Sequence, residues 1–348
     1  MAVGKAVNVT ALNPLHDDRW TEFVLAHPAA SVFHTSSWLQ ALRRTYGYEP
    51  ILYTTSSPSA AIVDGVLFCR ITSWMTGRRM VSIPFADHCE PLVESPGGCA
   101  VLADAIHRAV GEGWTSAELR LRRVGCWGSA SGFAPAAAYR LHELDLTAHL
   151  DEIYRRFHGS MIQRKIRRAE REGVHHEHGR SDALLEAFYR LMLLTRRRHG
   201  IPPQPRLWFR NLMDCFGDRL SIHVAFKDGR AVGSILTLCH RSTVVYKYGC
   251  SNAAFHPLGV MPFLFWKAIQ EAKAGGATKF DLGRSELDNP GLIAFKERLG
   301  GVPSTLTYYR VGRKAAPGRP RRIPASIIGR LPDSVLALMG RVLYPHIG

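Results

Sequence analysis

Apolar and polar positions change period several times along the chain, and each change predicts an element. From residue 20, "WTEFVLAHPAASVFHTSSWLQALRRTYG" returns an apolar side chain every three or four residues, predicting two helices joined by an extended turn. Thr35, Ser36 and Ser37 are candidate caps ahead of Trp38 and Leu39. Strand-like runs follow in "EPILYTT", "AAIVDGVLFCRI" and "RMVSIPF", then a helix at "CAVLADAIHRAVGEG", then strands at "SAELRLRRV" and "AAYRLHELDL". The first half is an α/β alternation with hairpins.

The second half opens with one basic helix, "LDEIYRRFHGSMIQRKIRRAEREGV". The helix "DALLEAFYRLMLLTRRRHG", a Pro-rich loop and a helix at "FRNLMDCFG" come next. "LSIHVAFKDGRAVGSILTLCHRSTVVYKYGCS" reads as three alternating strands, broken by turns at Lys227-Asp-Gly229 and His240-Arg-Ser242. A helix at "VMPFLFWKAIQEAKAGG", a strand at "ATKFDLG", the segment "GLIAFKERLGG" and a strand at "STLTYYRV" complete it. Beyond Arg310 the chain is rich in Lys and Arg against the single acid Asp333. Ile327, Ile328, Leu331, Val335, Leu338, Met339 and Val342 there fall at roughly helical spacing. This tail is a basic linker followed by an amphipathic segment, suited either to packing on the first domain or to a membrane face.

A chain of 348 residues is too long for one core of ordinary size, so we expect a first domain over 1–148, a second over 149–312, and the linker and tail over 313–348. The composition, 46% hydrophobic and 21% charged, is that of a globular protein. The formal charge of +16 changes the picture more, because it favours phosphate-bearing partners: RNA, nucleotide-linked precursors or an anionic bilayer. Seven cysteines without a C-x-x-C pair or zinc spacing read as reduced thiols, and no metal site is expected. The N-terminal residues show no apolar export core, and no run reaches the length of a membrane span. These features predict a cytoplasmic protein that rests at most on the inner membrane face.

The pieces "FHTSSWLQAL", "IPFADHCEPL", "MIQRKIRRAEREGV", "LTRRRHGIP", "YKYGCSN" and "DLGRSELDNPGLIAFKERLGG", in that order over about residues 20 to 312, resemble the Fem-type (FemABX-like) aminoacyl and peptidyl transferases. The resemblance implies two tandem GNAT-like (N-acetyltransferase) domains, each a mixed, mostly antiparallel sheet flanked by helices. It implies transfer of an aminoacyl or acyl group to an amine of a cell-envelope precursor, peptidoglycan or exported polysaccharide, with aminoacyl-tRNA or acyl-CoA as co-substrate and no bound cofactor. Two departures stand out. The coiled-coil arm of some members is missing, and the acetyl-CoA loop of the wider superfamily is degenerate at His256-Pro-Leu-Gly259-Val260-Met261. A helix starting at Val260 could still receive a diphosphate on its amides. The alternatives are an acyl-CoA-dependent N-acetyltransferase acting on an amino sugar and a non-catalytic membrane or RNA adaptor.

Acyl transfer to an amine needs positive charge or hydrogen-bond donors where the oxyanion grows. Lys296, between Phe295 and Leu299, can lay its stem on apolar surface and present its ammonium to a cleft. The family resemblance assigns this lysine to stabilising the intermediate; by spacing alone a lysine on an amphipathic helix is far more often a solvated cation. Asp281 and Arg284 flank Gly283, which permits close backbone approach, so Arg284 could clamp a phosphate or pair with Asp281 or Glu286. Among Arg196, Arg197 and Arg198 the resemblance selects Arg198 as a phosphate ligand; the alternative is cations complementing a helix C-terminus. Tyr246 and Tyr248 alternate around Lys247 on a strand and are expected to share a face, as core or as the lining of an acceptor cleft. Arg164, Lys165, Arg167, Arg168 and Arg171 form a basic face, solvated or meeting tRNA or lipid phosphates; sparse aromatic residues disfavour sequence-specific RNA reading. Asp87-His88 in the first domain resembles a family segment near the cleft, or is simply a turn.

Overall fold

A computed structural model describes residues 8–128, 131–313, 329 and 331–348. It divides into two compact units. The first takes the described residues within Met1–Tyr139, Thr305–Arg319 and Tyr344–Gly348, and the second those within Arg140–Ser304 and Pro320–Leu343.

In the first unit, β1 (Thr10–Leu12), β2 (Glu49–Thr54), β3 (Val66–Ser73) and β4 (Gly77–Val81) pair antiparallel in that order. β5 (Ser116–Leu121) then joins β4 in parallel. The last strand, β12 (Val302–Gly312), runs antiparallel to β5. Helices α1 (Asp18–Ala26), α2 (Ser36–Tyr46) and α3 (Pro96–Gly111) each start on a capping side chain: Asp17, Thr35 and Ser95. The buried residues Phe68, Met80, Leu102, Ile106 and Leu119 form its core. One expectation fails here: Cys99 and Cys126 are disulfide-bonded, not free thiols. The first turn of α3 sets Cys99 6.2 Å, Cα to Cα, from Cys126 on the short turn Gly125–Trp127, a separation that a disulfide spans. The other five cysteines form no disulfide.

In the second unit the strand order is β6 (Ala134–Asp145), β11 (Lys279–Glu286), β10 (Thr243–Ser251), β9 (Arg230–His240), β8 (Leu220–Lys227), β7 (His175–Gly179). β10 and β11 are parallel; the pairings from β10 out to β7 are antiparallel. One face carries α4 (Leu150–Arg156), α5 (Arg164–Arg171), α8 (Val260–Ala274) and α9 (Pro290–Arg298), which with Leu299 just after α9 contribute Ile153, Ile166, Phe263, Leu264 and Ile269 to a common core. The other is covered by α6 (Asp182–His199) and α7 (Arg206–Phe216), where Phe209 meets Phe188 and Tyr248.

The basic stretch at 150–174 is not one helix. Phe157 and His158 leave the helical region, and a turn of π-helix at Gly159–Gln163 precedes α5. Burial of Phe157 edge-on against Trp266 outweighs helical continuity, while the Gln163 side chain donates to Tyr154 O (3.1 Å) and Phe157 O (2.8 Å), satisfying carbonyls at the break. Strand β7 was not anticipated either, because "HHEHG" has no apolar alternation; it is a polar edge strand on β8. A C-terminal helix, α10 (Asp333–Ile347), occupies the amphipathic segment. Ile327 and Ile328 lie outside the described residues.

Candidate active site

β10 and β11 are paired only from Thr243–Val245 to Lys279–Asp281, although each strand runs on for five or more residues. Two local features accompany the parting. A β-bulge at Lys247 interrupts the pairing of β10 with β9, and Gly283 on β11 has φ +70°. The bulge also corrects the expectation that Tyr246 and Tyr248 share a face. Tyr246 stands opposite Thr237 and Tyr248 opposite Leu236, neighbours on β9 that point to opposite sides. Tyr246 therefore packs on Phe265 of α8 (4.7 Å between centroids), whereas the Tyr248 hydroxyl accepts from Trp208 Nε1 of α7 at 2.8 Å.

Lys296 is buried, 1% exposed, and its Nζ donates to Gly283 O at 2.7 Å and Arg284 O at 3.0 Å. In a regular strand successive carbonyls point in opposite directions, so both reach one ammonium only because Gly283 departs from extended geometry. Asp281, also 1% exposed, holds this turn by accepting Gly283 N–H at 2.7 Å. The start of α9 is fixed by Pro290 and by Asn289, whose side chain accepts Leu292 N–H; these place Lys296 on the turn that faces the strand. Arg284, half-buried, is the next residue along β11.

A further residue belongs to this centre: His142 of β6, fully buried, with no hydrogen-bond partner for either ring nitrogen. Burial, then the Lys296 charge, hold its pKa below the ordinary histidine value, against a weaker pull from Glu297, whose Oε1 is 3.8 Å from Nε2. A Cβ on Gly301 would lie 2.9 Å from Lys296 O and 3.3 Å from His142 Cβ, so the second glycine of the closing pair is needed for α9 to seat over the strands. The Ser285 hydroxyl is likewise buried without a hydrogen-bond partner.

The turn beyond β10 brings together a second group. Gly259, φ +80°, begins α8 without a side-chain cap, and a Cβ there would meet Lys165 O at 2.5 Å. Pro262 has no N–H, so the amides of Val260 and Met261 are the donors at this helix start without an intrahelical acceptor. His256 Nε2 is 2.9 Å from Ser251 Oγ, and Arg198 Nη1 is 3.4 Å from Ser251 O. Burial, then Arg198 and Lys165, lower the His256 pKa. Of the arginine run, Arg197 is committed to Asp333 (2.6 Å) and Leu331 O (2.8 Å), and Arg198 is the exposed one. Both groups lie at the C-terminal ends of the two parallel strands, where open sheets bind ligands. Asp87 is in the first unit, 9% exposed, in a loop where Ile83 and Phe85 have φ of 58° and 60°; Tyr308 Oη donates to its carbonyl at 2.8 Å.

Residues 156–296 match the acetyltransferase (GNAT) domain family. The matched residues all lie in the second unit. Over 143 residues, 39% of the chain, the sequence is 29% identical to the UDP-N-acetylmuramoylpentapeptide-lysine N(6)-alanyltransferase of Weissella viridescens, and the chain covers 41% of that protein's length. The fold is similar to that of FemX (TM-score 0.66, 15% identity, 86% of this chain and 96% of that one). It is also similar to a tandem GNAT protein from the clavulanic acid biosynthesis pathway (0.54, 13%, 88% and 98%). A third likeness is to the C-terminal domain of a putative lysylphosphatidylglycerol synthetase from Agrobacterium fabrum (0.57, 16%, 95% and 95%). The chain thus has the mixed α/β fold, similar to that of FemX and of a tandem GNAT protein, that its motifs imply.

Within the matched residues, the start of α8 has a property that the start of α3 in the first unit does not share. On α3, Pro96 occupies the first position and the Ser95 hydroxyl accepts Gly98 N–H at 3.1 Å. The start of α8 has no side-chain cap and follows His256, which lies within the electrostatic reach of Arg198 and Lys165, so it has both open donors and positive charge nearby for a diphosphate.

Proposed function

We propose that the protein transfers an aminoacyl or acyl group to an amine of a phosphate-bearing cell-envelope precursor, using aminoacyl-tRNA or acyl-CoA as donor. The observation that carries this reading is the parting of β10 and β11 with a buried lysine fixed on Gly283 O and Arg284 O beside it. The acceptor nitrogen attacks the donor carbonyl, the new C–N bond forms as the carbonyl becomes an oxyanion, and collapse breaks the C–O bond of an ester or the C–S bond of a thioester. The amine proton leaves with the departing hydroxyl or thiol. In this scheme Lys296 sets positive potential where the oxyanion grows, in a water-poor setting where charge acts strongly. Gly283 and Asp281 hold the turn that orients it, and Tyr246 and Arg284 line the gap. Arg198, His256 and the amides of Val260 and Met261, which follow Gly259, receive the donor's phosphates. Tyr248, tied to Trp208, acts as a support.

The α8 start also supports a second reading, an acyl-CoA-dependent N-acetyltransferase acting on an amino sugar. The test of both is transfer from labelled aminoacyl-tRNA or labelled acetyl-CoA to a pool of UDP- and undecaprenyl-linked precursors. Transfer from charged tRNA supports the first reading, and transfer from CoA alone the second. No label on any acceptor from either donor refutes both.

A further inference from the structure

The helix α10 presents two faces. On one, Leu336 and Tyr344 are buried, and Gly340 lies so close to Pro203 O that no larger residue fits. On the other, Val335, Leu338 and Val342 are 37%, 59% and 52% exposed at helical spacing, flanked by the exposed Arg341. The start of the helix is fixed by Arg197 through Asp333 and Leu331 O, so the outward direction of this apolar stripe is built in. Immediately before it the chain carries six cations, Arg313, Lys314, Arg319, Arg321, Arg322 and Arg330, and no acid.

We infer that the exposed face of α10 docks on an anionic lipid bilayer. Three apolar side chains are far short of the roughly 800 Å² per partner of a stable protein interface, which argues against a second copy as the occupant. They suit a shallow seat at a headgroup boundary, where a few apolar side chains insert and neighbouring cations meet lipid phosphates. No helix among the described residues is long and apolar enough to cross a membrane, so the seat is on the surface. The inference does not depend on the transfer reaction: it concerns where the chain is held, not what it acylates.

The experiment is co-sedimentation of the full chain with phosphatidylglycerol vesicles and with phosphatidylcholine vesicles, for the wild type and for Leu338→Glu combined with Val342→Glu. Binding is expected to the anionic vesicles only, to weaken in 0.5 M salt, and to fall roughly ten-fold or more in the double variant. Both side chains are exposed, so its melting temperature should match the wild type. Failure of the wild type to sediment with anionic vesicles, equal binding by both proteins, or equal binding to both lipids would each overturn the inference. So would a dimer, seen by light scattering, that the double variant disperses in a protein that ignores vesicles.

Discussion

Replacing Lys296 by Met separates a structural from a catalytic role. Met keeps the length of the stem but removes the ammonium, on a residue 1% exposed, that satisfies the buried Gly283 O and the half-buried Arg284 O. Leaving a buried carbonyl unsatisfied costs about 1–3 kcal/mol, and relief from burying a charge offsets part of that. A net destabilisation of about 2–4 kcal/mol follows from the two carbonyls together, a drop of several degrees in melting temperature for a unit of this size. If Lys296 also stabilises the oxyanion, kcat should fall about 10²–10³-fold, as on losing one oxyanion-hole donor. The assay is label transfer at saturating acceptor, well below the melting temperature and normalised to folded protein measured by circular dichroism. A variant that melts earlier yet retains kcat within about three-fold would refute the catalytic argument and leave Lys296 as a staple for two carbonyls.

Gly283→Ala should destabilise by about 1–2 kcal/mol, because its φ of +70° penalises a Cβ, and should lower kcat by turning one carbonyl away from Lys296; denaturant midpoints and transfer rates check this. Tyr248→Phe should lower stability by about 0.5–1.5 kcal/mol, since it removes the hydroxyl that accepts from the buried Trp208 indole N–H, and leave acceptor KM unchanged, because Tyr248 faces α7. In the stack of His176, His178 and His223, burial and neighbouring imidazoles hold His223 at about 3 and His176 at about 4, below the ordinary 6.5. Below pH 6.5 the unfolded chain therefore binds protons that the folded one does not, so stability is full above that pH and falls as pH drops toward 4; His223→Gln should flatten the slope in urea titrations over that window.

The order of elements was legible because the chain's periodicity changes where its elements change, and Thr35 capped α2 as its position suggested. What stayed hidden depends on contacts distant in sequence or on backbone torsions. Nothing in "YKYG" announces that Lys247 is an extra residue, yet that residue sends Tyr246 and Tyr248 to opposite faces. Nor could spacing alone bury Lys296, since its two acceptors converge only through the torsion of Gly283, thirteen residues earlier. His142 is different, because its signal was present and unread. In "RLHELDL" it shares the alternating face of Leu144 and Leu146, a polar side chain in apolar register. Buried polar groups normally find hydrogen-bond partners, so an imidazole in such a register implies either a partner out of sequence or a cost borne for function. Here it stands beside Lys296 with both nitrogens lacking a hydrogen-bond partner, held neutral chiefly by burial and then by that charge. The anomaly in the pattern and the candidate catalytic cation therefore mark the same place, and each makes the other a better guide to the centre than either residue alone.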